Sequence, residues 1–218
     1  MVHMRPLQVR DNRQDWFTLG ASETRALATL DILLMRKDPP FDMDYIYSTY
    51  ILDLAEQAGV VVLNRPQALR DANEKLFITR FPQCCVPALV TRRSSEIKAF
   101  VGEHGLSVVK PLDGMGGSMV FRISTGEPNT GVILETLTDQ GQRTIMAQRF
   151  IPEIQKGDKR ILMVNGDPVP YSLARIPQPG ETRGNLAAGA KGQGIPLSER
   201  DLWIAEQVGP ALKERGIL

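Results

Sequence analysis

The segment Ser107-Val-Val-Lys110-Pro-Leu-Asp113-Gly114-Met-Gly116-Gly117-Ser118 has the residue types needed to hold an anion. Its hydropathy predicts a strand that delivers Lys110 near its end, then a glycine-rich turn and a second strand. Glycines let backbone N–H groups approach phosphate oxygens closely, and a lysine adds a point charge. The segment is not a P-loop, because no Gly-Lys-Ser/Thr follows. It is not the dinucleotide fingerprint either, because Met119 stands where the third glycine belongs and a strand comes next instead of a helix. Taken alone, it could still be a plain β-hairpin with a glycine turn.

Other segments add chemistry in the same half of the chain. Met146-Ala-Gln148-Arg149-Phe150-Ile151-Pro152 reads as a strand stopped by proline. A strand end of this kind can offer backbone groups to an adenine ring between apolar walls; alternatively it is only a strand end. Gly157-Asp158-Lys159-Arg160 precedes a predicted hairpin and Arg175 closes it, while Arg183, Asn185 and Lys191 lie on a glycine-rich loop. Each cation alone is an ordinary surface residue. Several beside one glycine turn suggest a site.

The bulk numbers support a search for local sites. The 218 residues include 26 basic and 25 acidic side chains, net +1, which gives no footprint for nucleic acid or an anionic membrane. Apolar residues make up 42% and charged residues 23%, ordinary for a globular domain. No apolar run approaches the roughly 18 residues that span a bilayer, and the first residues lack a signal-peptide core, so the cytoplasm is the expected compartment. Cys84 and Cys85 are neighbours, a strained geometry for a bridge, and read as buried thiols. His3 and His104 are too few for a metal cluster.

The elements that must position these residues follow from periodicity. Residues 1–26 read as irregular, with an isolated Trp16-Phe17 pair. Residues 31–35 read as a buried strand, 44–58 as a helix with Tyr47, Ile51, Leu54 and Ala58 inward, and 60–63 as a second strand, together a parallel βαβ unit. A helix is expected around 71–80 and a linker over 82–87. Strand 89–91, a helix capped by Ser94 or Ser95 with Ile97, Phe100 and Val101 inward, and a strand from Val108 follow. Beyond residue 105 the chain reads as mostly β: strands at 120–123 and 144–148, then a hairpin turning at Asn165-Gly166. Residues 179–194 read as a long functional loop. Ser198-Glu-Arg-Asp201 is a capping box opening a last helix that closes near Gly216, after which Ile217-Leu218 would begin an apolar strand.

Several strings together resemble the ATP-grasp superfamily, and within it the bacterial glutathione synthetases. They are Met35 to Asp42, Asn73 to Phe77, Lys110 to Gly117, Gly157 to Arg160, Leu173 to Pro177 and Gly180 to Ala188. The resemblance runs from about residue 5 to Leu218 and implies an α/β fold. Residues 1–75 would be a partial substrate-binding (pre-ATP-grasp) domain, and 76–218 an ATP-grasp domain lacking its C-terminal strands. It also implies ATP and Mg2+ as cofactors, γ-glutamylcysteine and glycine as substrates, and a homo-oligomer. Lys75 and Lys110 would hold phosphates, with Gly114, Gly116 and Gly117 in a flap. Gln148, Arg149, Phe150 and Ile151 would line the adenine edge, with Asp158 in the nucleotide pocket. Arg36, Arg160 and Arg175 would bind substrate carboxylates. Arg160, Arg175, Arg183 and Asn185 would carry the catalytic work, under a lid over 177–191. ATP would convert a carboxylate to an acyl phosphate, which the amine of glycine then attacks. In that family an aspartate and a Glu-x-Asn pair that ligate magnesium follow the stretch matching Leu218. The expectation here is therefore a fragment with no metal ligand of its own. Another ATP-grasp carboxylate–amine ligase and a non-catalytic ATP-binding remnant stand as alternatives.

Overall fold

The computed structural model describes residues 1–180, 184–186 and 189–218. The first residues are more ordered than their polarity suggests. Strands β1 (Val2–Met4), β2 (Leu7–Val9), β3 (Phe17–Leu19) and β4 (Glu23–Arg25) form two antiparallel pairs, β1 with β4 and β2 with β3. Three-residue strands are too short to announce themselves by alternation. The β2–β3 turn is held by Arg10, whose guanidinium donates to Asp15 at 2.6 Å, and by Trp16 tilted against Phe17 at 4.5 Å.

Next come β5 (Ile32–Leu34), α1 (Met43–Gln57) and β6 (Val61–Leu63), with β5 and β6 parallel as expected. Asp42 caps α1, its carboxylate accepting from Tyr45 N at 2.9 Å. The inward face of α1 corrects the sequence reading. Thr49, Leu52 and Ala55 are buried, while Tyr47, Ile51, Leu54 and Ala58 are exposed. Both stripes are apolar, but the one carrying the small Thr49 and Ala55 allows closer approach to the two strands. β5 is likewise not a buried strand, since Ile32 and Leu34 lie open. The expected helix over 71–80 is instead α2 (Pro66–Asp71) followed by 3-10 turns at Leu76–Arg80 and Pro82–Cys84. Asn73 explains the break. Its side-chain oxygen accepts from Lys75 N at 3.1 Å and Leu76 N at 2.9 Å, competing with helical bonding.

The central unit contains β7 (Ala88–Thr91), α3 (Ser94–His104), β8 (Ser107–Pro111), β9 (Phe121–Ile123), α4 (Thr130–Thr138) and β10 (Ile145–Arg149). The strands form an antiparallel sheet in the order β7-β10-β8-β9. Ile97, Phe100 and Val101 of α3 and Leu134 and Leu137 of α4 pack on Val109, Ile123, Ile145 and Ala147. Two expectations are corrected here. The N-cap of α3 is Arg93, with no side-chain cap; Thr91 Oγ1 accepts from Arg93 N at 3.1 Å and donates to Glu96 at 2.6 Å. Helix α4 sits where a mostly β stretch was expected, because its β-branched residues mask a short helical stripe.

The last unit is β11 (Asp158–Val164), β12 (Asp167–Ile176), β13 (Lys191–Pro196) and α5 (Glu199–Glu214). Asn165 and Gly166 both have positive φ, as the type I′ hairpin turn requires. β13 takes the end of the expected 179–194 loop into the sheet, pairing Lys191 to Pro196 with Ile176 to Tyr171. The capping box at Ser198 is present. α5 lies directly on the hairpin turn, where a Cβ on Gly209 would stand 2.2 Å from Gly166 O. Ile217 and Leu218 belong to no strand. Among the described residues no helix is long and apolar enough to cross a membrane.

Candidate active site

The four-stranded and three-stranded sheets face each other across two adjoining cavities. The smaller, 270 Å³, has apolar walls from Val108, Val120, Phe150, Ile151 and Ile154, with Lys110, Gln148, Arg149, Asp158 and Asn185 as its polar residues. The larger, 650 Å³, is lined by Lys75, Lys110, Gly114, Gly116, Gly117, Arg160, Arg175 and Asn185, among others. Lys110 and Asn185 border both.

The register explains how Lys110 reaches this cleft. Lys110 pairs with Met146 and Val108 with Gln148 across β8 and β10, so these four share the cleft face of the sheet. The alternate residues Val109, Ile145 and Ala147 go to the core. Lys110 Nζ donates to Gln148 Oε1 at 3.0 Å. Burial pushes its pKa down from the ordinary lysine value, and the charge of Lys75 pushes the same way. Glu74 and Cys85 oppose the shift without cancelling it. Two ammonium groups converging in a partly dry space make the cleft favourable for an anion.

The glycine turn is held from outside. Lys75 Nζ donates to Gly114 O, Asn73 Nδ2 to Leu112 O at 3.3 Å, and Phe41 N to Asp113 O at 3.3 Å. Gly116 (φ 67°) and Gly117 (φ 78°) occupy left-handed backbone that L side chains rarely adopt. At the end of β10, where an adenine edge was expected, Arg149 and Phe150 commit their N–H groups to Pro87 O and Leu106 O. Of the expected 148–151 edge, Ile151 is left to present its own N–H, among the described residues.

Not every residue expected at the site is placed alike. Arg160 and Arg175 border the larger cavity, but Arg36 does not; it lies exposed after β5. Arg175 is engaged within the protein, its Nε donating to Asp158 Oδ1 at 2.8 Å and its Nη2 to Oδ2 at 2.5 Å. Asp158 faces the smaller cavity and Arg175 the larger, so this ion pair forms part of the wall between them. Gly184 seats on it, since a Cβ there would fall 2.8 Å from Asp158 Oδ1. Arg183 lies outside the described residues. Val120, Ile154, Glu74 and Gly184 are lining or packing residues that the sequence reading did not single out. For Glu74 the signal was its place beside Lys75, and for Gly184 its place in the Gly180 to Ala188 string; nothing marked Val120 or Ile154.

Comparison with known proteins identifies this arrangement. The model of the prokaryotic glutathione synthetase ATP-grasp domain matches residues 74–218, and that of the prokaryotic glutathione synthetase N-terminal domain matches residues 1–70. This chain belongs to the prokaryotic glutathione synthetase family. Glutathione synthetase of Pseudomonas aeruginosa is 60% identical over 215 residues, covering 99% of this chain and 68% of that protein. The Escherichia coli K12 enzyme is 54% identical over 217 residues, covering 100% and 69%. Among solved structures, D-cycloserine synthetase DcsG shares the fold with a TM-score of 0.63 at 14% identity, over 89% of this chain and 69% of that one. D-alanyl-alanine synthetase A from Vibrio cholerae does so with a TM-score of 0.55 at 13% identity, over 95% and 64%. Members of the prokaryotic glutathione synthetase family are ATP-dependent ligases that use a divalent metal. The cleft suits the nucleotide: it has an apolar slot, a strand end and two lysines at a glycine turn. Among the described residues no three His, Cys, Asp or Glu side chains converge into a metal cage built by the protein alone.

Proposed function

We propose that this chain holds ATP in the cleft between its two sheets and belongs to an enzyme that joins glycine to γ-glutamylcysteine. The observation that carries the reading is the convergence of Lys75 and Lys110 on the glycine turn, beside a cavity that also presents Arg160 and Arg175. Val108, Val120, Phe150 and Ile151 receive the base. The lysines and turn amides bind the phosphates and offset charge as it moves between oxygens. Arg160 orients the peptide's carboxylates, with Arg175 held ready by Asp158. Asn185 borders both cavities, where exclusion of water protects an activated carboxylate from hydrolysis. When bound, the nucleotide supplies the phosphoryl group that activates that carboxylate. Mg2+ as the metal, a cytoplasmic location, a homo-oligomeric state and a domain boundary near residue 75 belong to the same reading.

Titration calorimetry with ATP tests it. Lys110→Ala should cost about 1.5–3 kcal/mol of binding, roughly a tenfold to hundredfold loss, because a phosphate would lose a charge-assisted partner. An unchanged dissociation constant in a folded variant would refute the placement of the phosphate site.

A further inference from the structure

Lys110 has one side-chain hydrogen-bond partner among the described residues, and it is an amide. Lysine has no acceptor, so the Gln148 oxygen must face the ammonium. The two residues are fixed diagonally on adjacent strands, with Gln148 opposite Val108 and Lys110 opposite Met146. Met146, on the same face of the sheet, is fully buried. The donor–acceptor distance is 3.0 Å, a well-formed bond. The titratable groups around Lys110 are Lys75, Glu74 and Cys85 from the 74–85 segment, with Arg149 and Asp158 on the smaller cavity and Asp38, Arg160 and Arg175 on the larger. Lys75 and Glu74 bridge each other at 3.2 Å, and Lys75 also donates to Gly114 O, so Glu74 gives Lys110 only part of a counter-charge.

We infer that Gln148 is a positioning residue for the phosphate-binding lysine: its side-chain oxygen holds the Lys110 ammonium charged and aimed into the cleft before any anion arrives. A neutral acceptor suits this role better than a carboxylate would. It stabilises the ammonium without forming an ion pair that an incoming phosphate would have to break, and it adds no negative charge to repel that phosphate. The inference rests on the proposed nucleotide site, but part of its test does not need nucleotide.

The Lys110 ammonium can be titrated in the ligand-free chain through its 13Cε NMR signal, assigned by its loss in Lys110→Met. Gln148→Glu should raise the titration midpoint by about one unit or more, since an opposite charge now lies within a few ångströms. Gln148→Met, similar in length but without an acceptor, should lower it. Both variants should bind ATP about tenfold more weakly, the first through repulsion and the second through a disordered ammonium. Residues serving only to fill space would not move the midpoint in opposite directions. An unchanged midpoint in Gln148→Met overturns the inference, as does full ATP affinity in both variants. If the midpoints move as expected but the unsubstituted chain binds no ATP, the lysine–amide coupling stands and the nucleotide reading fails.

Discussion

The four-stranded sheet and the β5–β6 layer are both strands covered by helix, yet one is closed and the other is not. In the first, Ile97, Ile123, Leu134 and Ile145 are completely buried, and two helices cover the face opposite the cleft. In the second, α1 covers one face through Leu52 and Ala55, while Ile32 and Leu34 remain 61% exposed on the other. The outer stripe of α1, with Leu54 at 63%, is open too. A sheet that must hold a lysine and an amide in register needs a rigid floor, and the closed half supplies it. The open layer contributes to the site mainly by strapping, through Phe41 to Asp113 and Asn73 to Leu112. Large apolar patches of this kind mark surfaces that associate, in keeping with the proposed homo-oligomer.

The sharpest way to break this contrast is to remove volume from the closed half. Leu134→Ala should cost about 2–5 kcal/mol in denaturant unfolding, as expected for a fully buried leucine. A cost below about 1 kcal/mol would mean this core is as loose as the N-terminal layer. Gly209→Ala asks whether α5 and the β11–β12 hairpin belong to the closed half. Its Cβ would meet Gly166 O at 2.2 Å, so helix and turn must separate, at about 1–3 kcal/mol. Thermal unfolding unchanged within a degree would show that this contact yields freely.

Ser198→Ala should cost about 1 kcal/mol by removing the cap of α5. Its partner Asp201 adds a pH signature. Burial alone would raise the Asp201 pKa, but hydrogen bonds from Lys159 and Ser198 outweigh it and hold the carboxyl below its ordinary value. A depressed carboxylate stabilises the fold above its unfolded pKa of about 3.9 and loses that contribution as pH falls through the folded value. Stabilities of the parent and Asp201→Asn should therefore differ at neutral pH and converge in acid; a constant gap would refute the ionic contribution. The smallest effect is expected at Leu54→Ser, within about 0.5 kcal/mol for the isolated chain. A large loss there would mean that the α1 stripe is covered in solution.

What the sequence revealed follows the same division. Where one face is buried and the other open to the cleft, alternation was readable. Lys110 and Gln148 fall on strands as read, and the Asn165-Gly166 turn and the Ser198 box are present, because each has a local physical signature. In the open layer α1 carries two apolar stripes, and only the sheet beneath it decides between them, so the wrong stripe was favoured. α4 was missed although Leu134, Leu137 and Thr138 have helical spacing, because Val132 and Ile133 favour a strand reading. The Asp158–Arg175 pair was invisible, since both residues were assigned to ligands and neither to the other. No local pattern reports a partner seventeen residues away on an adjacent strand.

Residues 150–157 carry the chain from the last strand of one sheet into the first strand of the next, and Phe150, Ile151 and Ile154 of that passage line the smaller cavity. A ligand in the proposed slot would touch that passage directly. Strand β12, ten residues long, is a lever arm of about 33 Å. A tilt of about five degrees at the pivot would sweep its far end through about 3 Å, the length of a hydrogen bond. Small adjustments at the slot proposed for the base would thus be magnified into coarse travel at the rim, with no element having to unfold.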